Sequence, residues 1–98
     1  MAENNGDHHP KFQLGGMTIT PDATEALQKS GDNVALLIRR HMSGDWGDLD
    51  DYDKSQNDEG VVHGLRILSA YTLSSGEKLW VITEGDRSFT TVLTPDEY

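Results

Sequence analysis

The 98-residue sequence contains no cysteine and no apolar run of membrane-spanning length. Without cysteine, disulfides, thiolate chemistry and zinc-finger sites are excluded. Only 8 lysines and arginines face 17 aspartates and glutamates, and the net charge of −9 argues against direct binding to nucleic acid or anionic membranes. The polar, acidic start has no signal-peptide pattern. We therefore expect a cytoplasmic protein suited to a protein partner with a basic surface.

The length and the composition predict one small domain. The first ten residues, MAENNGDHHP, show no apolar periodicity, so we predict a disordered tail at 1–10 and a single domain at 11–98. Apolar residues make up 35% of the chain, which is low for a globular domain. A chain of this size is expected to build one core of two layers.

Capping residues and apolar spacing predict a strand followed by helices in the first part of the domain. We expect a short strand around 17–19, then a helix with Thr20 as its N-cap and Pro21 at its first position. A second helix, with Asp32 or Asn33 as its N-cap and Gly44 at its end, is predicted over VALLIRRHM, at 34–42, because its apolar residues recur at helical spacing. A third, weaker helix is expected from 48 to about 62.

From residue 65 onward the apolar spacing changes to a period of two, which is typical of strands. The segments LRILSAYTL, KLWVITE and SFTTVL predict three strands, and the short, turn-rich connections between them predict an antiparallel meander. The predicted fold class is therefore α+β: an N-terminal strand, two to three helices, then a three-stranded antiparallel meander. Turns of four and then three residues set the predicted register, in which Tyr71, Trp80, Ile82 and Val92 share one sheet face.

The opposite sheet face is more aliphatic and is expected to pack against the helices, so no helix is left to cover the face that carries Tyr71 and Trp80. That uncovered face has two interpretations. The face of Tyr71, Trp80, Ile82 and Val92 is either an ordinary sheet surface, solvated or covered by the N-terminal segment, or an interface. Large exposed apolar patches commonly mark interfaces. The second interpretation predicts a homodimer or a partner complex formed through these residues.

Seven carboxylates lie between residues 43 and 60 around a single lysine. Read as a calcium loop that begins at Asp48, this segment has Tyr52 where a ligand is needed and Asp53 where glycine is needed, so we predict neither a metal nor a cofactor. One remaining interpretation is a helix cap at Asp48, with Trp46 anchored on the core. The other is an acidic surface that meets a basic partner and consists of Asp45, Asp50, Asp51, Asp53, Asp58 and Glu59.

A polar hairpin tip in the segment TEGDRS is a further candidate site. Glu84, Asp86 and Arg87 would present an arginine–carboxylate pair to a small ligand, although such residues are common at hairpin tips for turn geometry alone. No nucleophile elbow, phosphate-binding loop or dinucleotide fingerprint occurs, and the four histidines have no ligand spacing. Catalysis is therefore unsupported by any motif, and a hydrolase built from dispersed residues stays an open alternative.

Three segments resemble a family of small bacterial proteins found on plasmids and other mobile elements: GDWGDLDDYDKSQND (44–58), RILSAYTL (66–73) and LWVITEGDRSFTTVLTPDEY (79–98). Its members are usually labelled uncharacterised or as a type I restriction enzyme modification subunit. The resemblance covers roughly 17–98 and implies a role in a mobile element, but no catalytic residue. A DNA methyltransferase needs a cofactor-binding sheet with a glycine-rich turn and a methyl-transfer motif, and neither occurs in this sequence.

Two function hypotheses follow. The leading one is a non-enzymatic interaction protein of a mobile element whose acidic surface modulates a host or element protein, such as nucleic-acid-binding or defence machinery. The alternative is a small-ligand-binding or hydrolytic protein that uses Glu84, Asp86 and Arg87. A convex acidic ridge favours the first hypothesis, and a concave pocket lined by these three residues favours the second.

Overall fold

Helices and strands are joined by short connections along residues 10–98, which are the residues that the computed structural model describes. The predicted disordered tail at 1–10 lies outside these residues except for Pro10. The first four elements are β1 (Gly16–Ile19), α1 (Pro21–Ser30), α2 (Val34–Ser43) and α3 (Asp51–His63). They are followed by β2 (Ile67–Thr72), β3 (Lys78–Thr83), β4 (Phe89–Leu93) and a 3₁₀ turn (Pro95–Glu97).

The strands form one four-stranded sheet in the order β1-β4-β3-β2. Strands β2, β3 and β4 are antiparallel neighbours, as predicted, whereas β1 pairs in parallel with β4. The predicted α+β class, with an N-terminal strand preceding the helices and the antiparallel unit, is confirmed. The parallel pairing of β1 was not predicted, and it makes the sheet mixed rather than a pure meander.

The ends of α1 and α2 follow the predicted capping residues. The Thr20 hydroxyl accepts a hydrogen bond from the backbone N–H of Ala23 at 3.2 Å, and the Asn33 side chain accepts one from Ala35 at 2.9 Å. Gly44 ends α2 at φ 90°, a left-handed conformation that glycine adopts without steric cost. Each cap satisfies backbone groups that the helix itself leaves free.

The cap of α3 differs from the predicted one. Asp50, not Asp48, is the N-cap, because its side chain accepts a hydrogen bond from the backbone N–H of Asp53 at 2.8 Å. The carboxylate of Asp48 instead accepts a hydrogen bond from the Thr72 hydroxyl on β2 at 2.6 Å. The acidic segment therefore caps a helix as expected, but Asp48 links the segment to the sheet.

The observed register differs by one residue from the predicted register in both hairpins. Tyr71 lies opposite Leu79, whereas Trp80 was predicted there, and the β3–β4 pairing is displaced by one residue as well. The first turn has three residues and the second has four, the reverse of the prediction. Since side chains alternate between the two faces, these shifts reverse β2 and β4 relative to β3. The predicted grouping of Tyr71, Trp80, Ile82 and Val92 on one face is therefore wrong.

The helices cover the sheet face that carries Tyr71, Leu79 and Val92. The buried side chains of this core cluster come from α1, α2, the sheet and the residue after β2: Ala23, Ala26, Leu37, Tyr71, Leu73, Leu79, Val81 and Val92. Burial of each large aliphatic or aromatic side chain stabilises the fold by about 1.5–3 kcal/mol. This cluster is the main apolar core.

A second apolar cluster forms around Trp46, which is 4% exposed. The ring of Phe12 stacks on the indole with 6.2 Å between ring centroids, and Ile67 completes the cluster. The indole N–H donates a hydrogen bond to the carboxylate of Asp58 at 3.0 Å. The predicted anchoring of Trp46 on the core is confirmed.

The two edges of the sheet differ. At the β2 edge, the Asn57 side chain of α3 donates to the C=O of Leu68 at 2.7 Å and accepts from its N–H at 3.1 Å, as a neighbouring strand would. The segment 46–48 adds two backbone hydrogen bonds to Ala70 at the same edge. The outer edge of β1 receives no comparable cover from residues 10–98, and all four residues of this strand are exposed.

Candidate functional site

Three carboxylates of the predicted acidic surface stabilise local structure. Asp45 forms an ion pair with Nε of Arg40 at 2.7 Å, and this hydrogen-bonded guanidinium holds the pKa of the Asp45 carboxyl below its ordinary value. Asp50 caps α3, and Asp58 accepts the indole N–H of Trp46. These three side chains have partners within the fold and are therefore less available to a ligand.

The other three carboxylates of the predicted surface, Asp51, Asp53 and Glu59, extend from α3 and are exposed. Among residues 10–98, the one ion-pair partner of these three side chains is His63, whose Nε2 lies 3.2 Å from Glu59. We refer to Asp51, Asp53 and Glu59 as the outer carboxylates. No lysine or arginine among residues 10–98 forms an ion pair with them.

Two apolar side chains stand among the outer carboxylates. Tyr52 is 69% exposed and Val62 is 74% exposed. With 3.6 residues per helical turn, Tyr52 and Glu59 lie two turns apart on the same side of α3, and Val62 lies about one turn further along. Tyrosine is enriched in protein interfaces, because one side of its ring makes apolar contacts while the hydroxyl stays hydrated. Asp51 and Asp53 lie about 100° to either side of Tyr52 around the helix axis, so the exposed surface of α3 combines negative charge with apolar contact area.

An open groove of about 250 Å³ lies beside this surface, between α3 and β2. Leu49 and Leu68, both half-buried, provide its apolar part, while Asp53 and Gln56 provide polar groups. Lysine and arginine side chains have the complementary structure, an apolar stem that ends in a cation. The groove is therefore suited to a basic side chain whose stem contacts the leucines and whose charge meets Asp53.

At the predicted polar hairpin tip, the guanidinium of Arg87 is directed to the C-terminal end of α3. It donates hydrogen bonds to the C=O of Leu65 at 2.6 Å and to the C=O of Gly60 at 2.8 Å. The same group lies 5.4 Å from the centroid of the Phe12 ring. A cation at a helix C-terminus also interacts favourably with the helix dipole. Arg87 thus joins the hairpin to α3.

The two carboxylates of the hairpin tip have other neighbours. Glu84 lies 4.0 Å from Nε of Arg66. Hydrogen bonds from the Ser88 side chain and from the Ser88 backbone N–H, the latter at 2.9 Å, hold the pKa of Asp86 below its ordinary value. Neither carboxylate forms an ion pair with Arg87 in the described part of the chain. The three side chains line neither this groove nor a second one near the 3₁₀ turn. This geometry gives no support to the small-ligand alternative.

The residues predicted to form one interface on the sheet are divided between its two faces. Tyr71 and Val92 lie under the helices and are almost fully buried. Trp80 and Ile82 lie on the opposite face, where the ring of Tyr98 packs against that of Trp80 with 5.4 Å between centroids. These four residues therefore do not form a single surface for a partner.

A buried chain of polar side chains, which was not predicted from the sequence, crosses the core. His41 is fully buried, with Nδ1 2.6 Å from the Ser69 hydroxyl oxygen and Nε2 2.9 Å from the Thr83 hydroxyl oxygen. Thr83 lies 2.6 Å from the hydroxyl oxygen of Thr90, which donates to the C=O of Leu14 at 2.8 Å. The chain links α2, three strands and the N-terminal segment.

The direction of these hydrogen bonds assigns the tautomer of His41. Because Thr90 donates its proton to a carbonyl, Thr83 donates to Thr90, and Nε2–H of His41 donates to Thr83. Nδ1 then accepts the proton of Ser69. Burial, assisted by the charge of Arg87, lowers the pKa of His41 to about 3, so the ring is neutral. Although serine and histidine in contact form nucleophilic pairs in enzymes, both are fully buried here, and a substrate has no access to them.

Comparisons with protein-family models, with curated proteins and with solved structures find no match to this chain. Within residues 10–98, no group of three or more histidine, aspartate or glutamate side chains is arranged to hold a metal ion. No helix in that range is both long and apolar enough to span a bilayer.

Proposed function

We propose that this protein is a non-enzymatic interaction protein that binds a basic surface of a partner protein through the outer carboxylates of α3. The observation that carries the proposal is the exposure of Asp51, Asp53 and Glu59 on α3, around the exposed ring of Tyr52. The other acidic residues of this segment hold α3 and Trp46 in place, so they position this surface rather than contact the partner first.

The chemistry of the surface defines the partner. A net charge of −9 attracts a basic protein over distance, and the local carboxylates orient it on contact. The groove beside Asp53 accepts one lysine or arginine side chain, which anchors the partner next to Tyr52. The mechanism is electrostatic: the carboxylates occupy a basic surface that the partner otherwise offers to phosphate groups.

The resemblance to small proteins of plasmids and mobile elements supports a cellular setting for this activity. In that setting the protein acts in the cytoplasm and modulates a host or element protein. Proteins that bind nucleic acid, including defence proteins, carry the basic surfaces that this mechanism requires. We therefore place the partner in this class.

The test compares charge-neutral variants of the outer carboxylates with a matched control. The surface variant combines Asp51→Asn, Asp53→Asn and Glu59→Gln, which removes three negative charges without changing side-chain size. Titration with a lysine- and arginine-rich peptide, followed by NMR chemical shifts, measures binding. In wild type, the largest shifts are expected along α3 and at Leu68, with affinity that falls as salt rises. The surface variant should bind at least about tenfold more weakly, a loss of roughly 1.4 kcal/mol.

The control variant removes the same charge elsewhere on the surface, through Glu25→Gln, Glu77→Gln and Asp96→Asn, all of which are exposed. It should bind the peptide almost as tightly as wild type. Equal weakening in both variants would mean that only the net charge matters, and the proposed site would be wrong. Shifts that are distributed over the whole surface would contradict the proposal in the same way.

A further inference from the structure

The outer edge of β1 presents backbone groups that have no hydrogen-bond partner among residues 10–98. Gly16 and Thr20 donate their N–H groups to carbonyl oxygens of the β4 segment, each at 3.0 Å. Because alternate residues of a strand direct their backbone groups to opposite sides, the N–H and C=O of Met17 and Ile19 point away from the sheet. These four groups are available to another strand.

The side chains at this edge do not prevent such pairing. Met17 is 43% exposed and Ile19 is 38% exposed. No charged residue occurs from 12 to 21, although charged residues make up 26% of the whole chain. Proteins commonly protect open edges with charges, proline or a covering element, and this protein does so at β2 through Asn57. Among residues 10–98, no such feature protects the edge of β1.

We propose that two copies of the chain pair through β1, antiparallel to each other, about a twofold axis at Thr18. In this register, Met17 of one copy lies opposite Ile19 of the other, and the reverse pair is equivalent by symmetry. Each pair exchanges two backbone hydrogen bonds, as hydrogen-bonded pairs of antiparallel strands do. All outward backbone groups of Met17 and Ile19 are then satisfied in both copies. A twofold axis at Met17 would leave Ile19 without a partner in β1, and an axis at Ile19 would leave Met17 without one.

The side chains favour a second copy over the basic partner proposed above. Met17 and Ile19 of both copies form one apolar cluster on one face of the joined sheet, and the two Thr18 side chains meet on the other face. The uncharged edge has no charge that would attract a basic protein. A four-residue edge is small beside the roughly 1,600 Å² of a standard interface, so the dimer is weak and depends on concentration. Because each copy carries a charge of −9, added salt strengthens the dimer.

Sedimentation equilibrium from micromolar to millimolar concentration tests the proposal. The average mass of wild type is expected to rise towards that of a dimer, more steeply at higher salt. Met17→Lys, which places a charge at the edge, should stay monomeric at the same concentrations. The matched control is Leu36→Lys, an identical charge change at an exposed residue of α2, and it should dimerise like wild type. A wild type that stays monomeric throughout, or a Met17→Lys variant that dimerises normally, would overturn the proposal.

Amide hydrogen exchange of the full chain locates the contact. The amides of Met17 and Ile19 are expected to become protected as concentration rises, while the amide of Thr18, which already faces β4, changes little. Protection of Met17 and Ile19 at every concentration, lost when residues 1–9 are deleted, would show that the chain covers its own edge and would overturn pairing between copies. Circular dichroism of Met17→Lys identifies a variant that fails to fold, in which case Ile19→Lys replaces it.

Discussion

Nδ1 of His41 lies 2.6 Å from the hydroxyl oxygen of Ser69 in the interior of the protein, and this contact joins α2 to β2. The neutral ring accepts a proton from Ser69 at one nitrogen and donates its own proton to Thr83 at the other. A protonated ring would direct a second N–H at Ser69 and would bring an unpaired charge into the core. The packing of the helices on the sheet therefore depends on a neutral His41.

Acidification should destabilise the protein through His41. The pKa of this residue is about 3 in the folded protein against 6.5 in the unfolded chain, so the unfolded state binds the additional proton below pH 6.5. The stabilising contribution is complete above pH 6.5 and is lost progressively as the pH falls towards 3. Between pH 6.5 and about 5, the free energy of unfolding should decrease by roughly 2 kcal/mol, as measured by urea denaturation. The free energy of unfolding of the His41→Gln variant should depend much less on pH in the same range. An equal pH dependence in wild type and variant would contradict the prediction.

Removal of the Asn57 side chain should weaken the β2 edge. Asn57→Ala leaves the N–H and C=O of Leu68 without their partners at 3.1 and 2.7 Å. We expect a loss of roughly 1–3 kcal/mol in the free energy of unfolding, together with faster aggregation, since an uncovered edge pairs with other chains. Chemical denaturation and light scattering measure the two effects. Gln56→Ala, at an exposed neighbouring position, should show neither effect.

Replacement of Arg87 should loosen the contact between the β3–β4 hairpin and α3. Arg87→Ala removes hydrogen bonds to the carbonyl oxygens of Gly60 and Leu65, and we expect a loss of about 1.5–3 kcal/mol in the free energy of unfolding. Arg87→Gly should lose about 1 kcal/mol less than Arg87→Ala, because φ is 61° at this position and glycine tolerates this value. Thermal denaturation of both variants, beside the exposed Arg39→Ala, measures the difference. A loss in Arg87→Ala no larger than that in Arg39→Ala would show that these hydrogen bonds contribute little.

Truncation of Trp46 should be among the most destabilising single changes. Trp46→Ala removes a buried ring that contacts Phe12 and Ile67, and we expect a loss of roughly 3–5 kcal/mol in the free energy of unfolding. In a Trp80→Phe background, the remaining fluorescence reports Trp46 alone. The native spectrum should be blue-shifted and poorly quenched by added iodide. A red-shifted, readily quenched spectrum would place the ring in water and contradict the assignment.

The helices could be predicted because their signals are local. Thr20 and Asn33 cap their helices by hydrogen bonds to residues two or three positions later, and Gly31 and Gly44 end the helices in left-handed conformations. Such interactions depend on residue type and short spacing alone. Local patterns of residue type also predicted all four strands. They did not predict the cap of α3, because Asp48 has a partner in β2, 24 residues away.

The first turn of the antiparallel unit shows why the register could not be predicted. Leu73 donates its N–H to Glu77 at 2.7 Å, so the turn contains three residues and ends at Gly76, where φ is 94°. Three-residue turns with a final left-handed glycine are common in hairpins. The segment SSGE is equally compatible with four residues. A turn of three residues and a turn of four residues differ in which faces of β2 and β3 lie on the same side of the sheet, and only the packing of the core determines this.

The second turn depends on a residue with an unusual backbone conformation. Arg87 adopts a positive φ, which is uncommon for a residue other than glycine, and the turn gains a fourth residue. The guanidinium contacts at Leu65 and Gly60, 22 and 27 residues away, stabilise this conformation. No short pattern around Arg87 contains this information, so the predicted turn was one residue too short.

By itself, the sequence determined the α+β class, the elements, most of the caps and the acidic character of the α3 segment, because these depend on composition and on residues a few positions apart. Within residues 10–98, the tertiary structure decided which carboxylates have partners in the fold, which sheet face is buried and which sheet edge is covered. It also decided the role of His41: helical spacing places this residue on the apolar side of α2, but its partners Ser69 and Thr83 lie 28 and 42 residues away. Hydrogen bonds between residues so far apart in the sequence form only when the strands pair in the native register. The packing of the whole core sets that register.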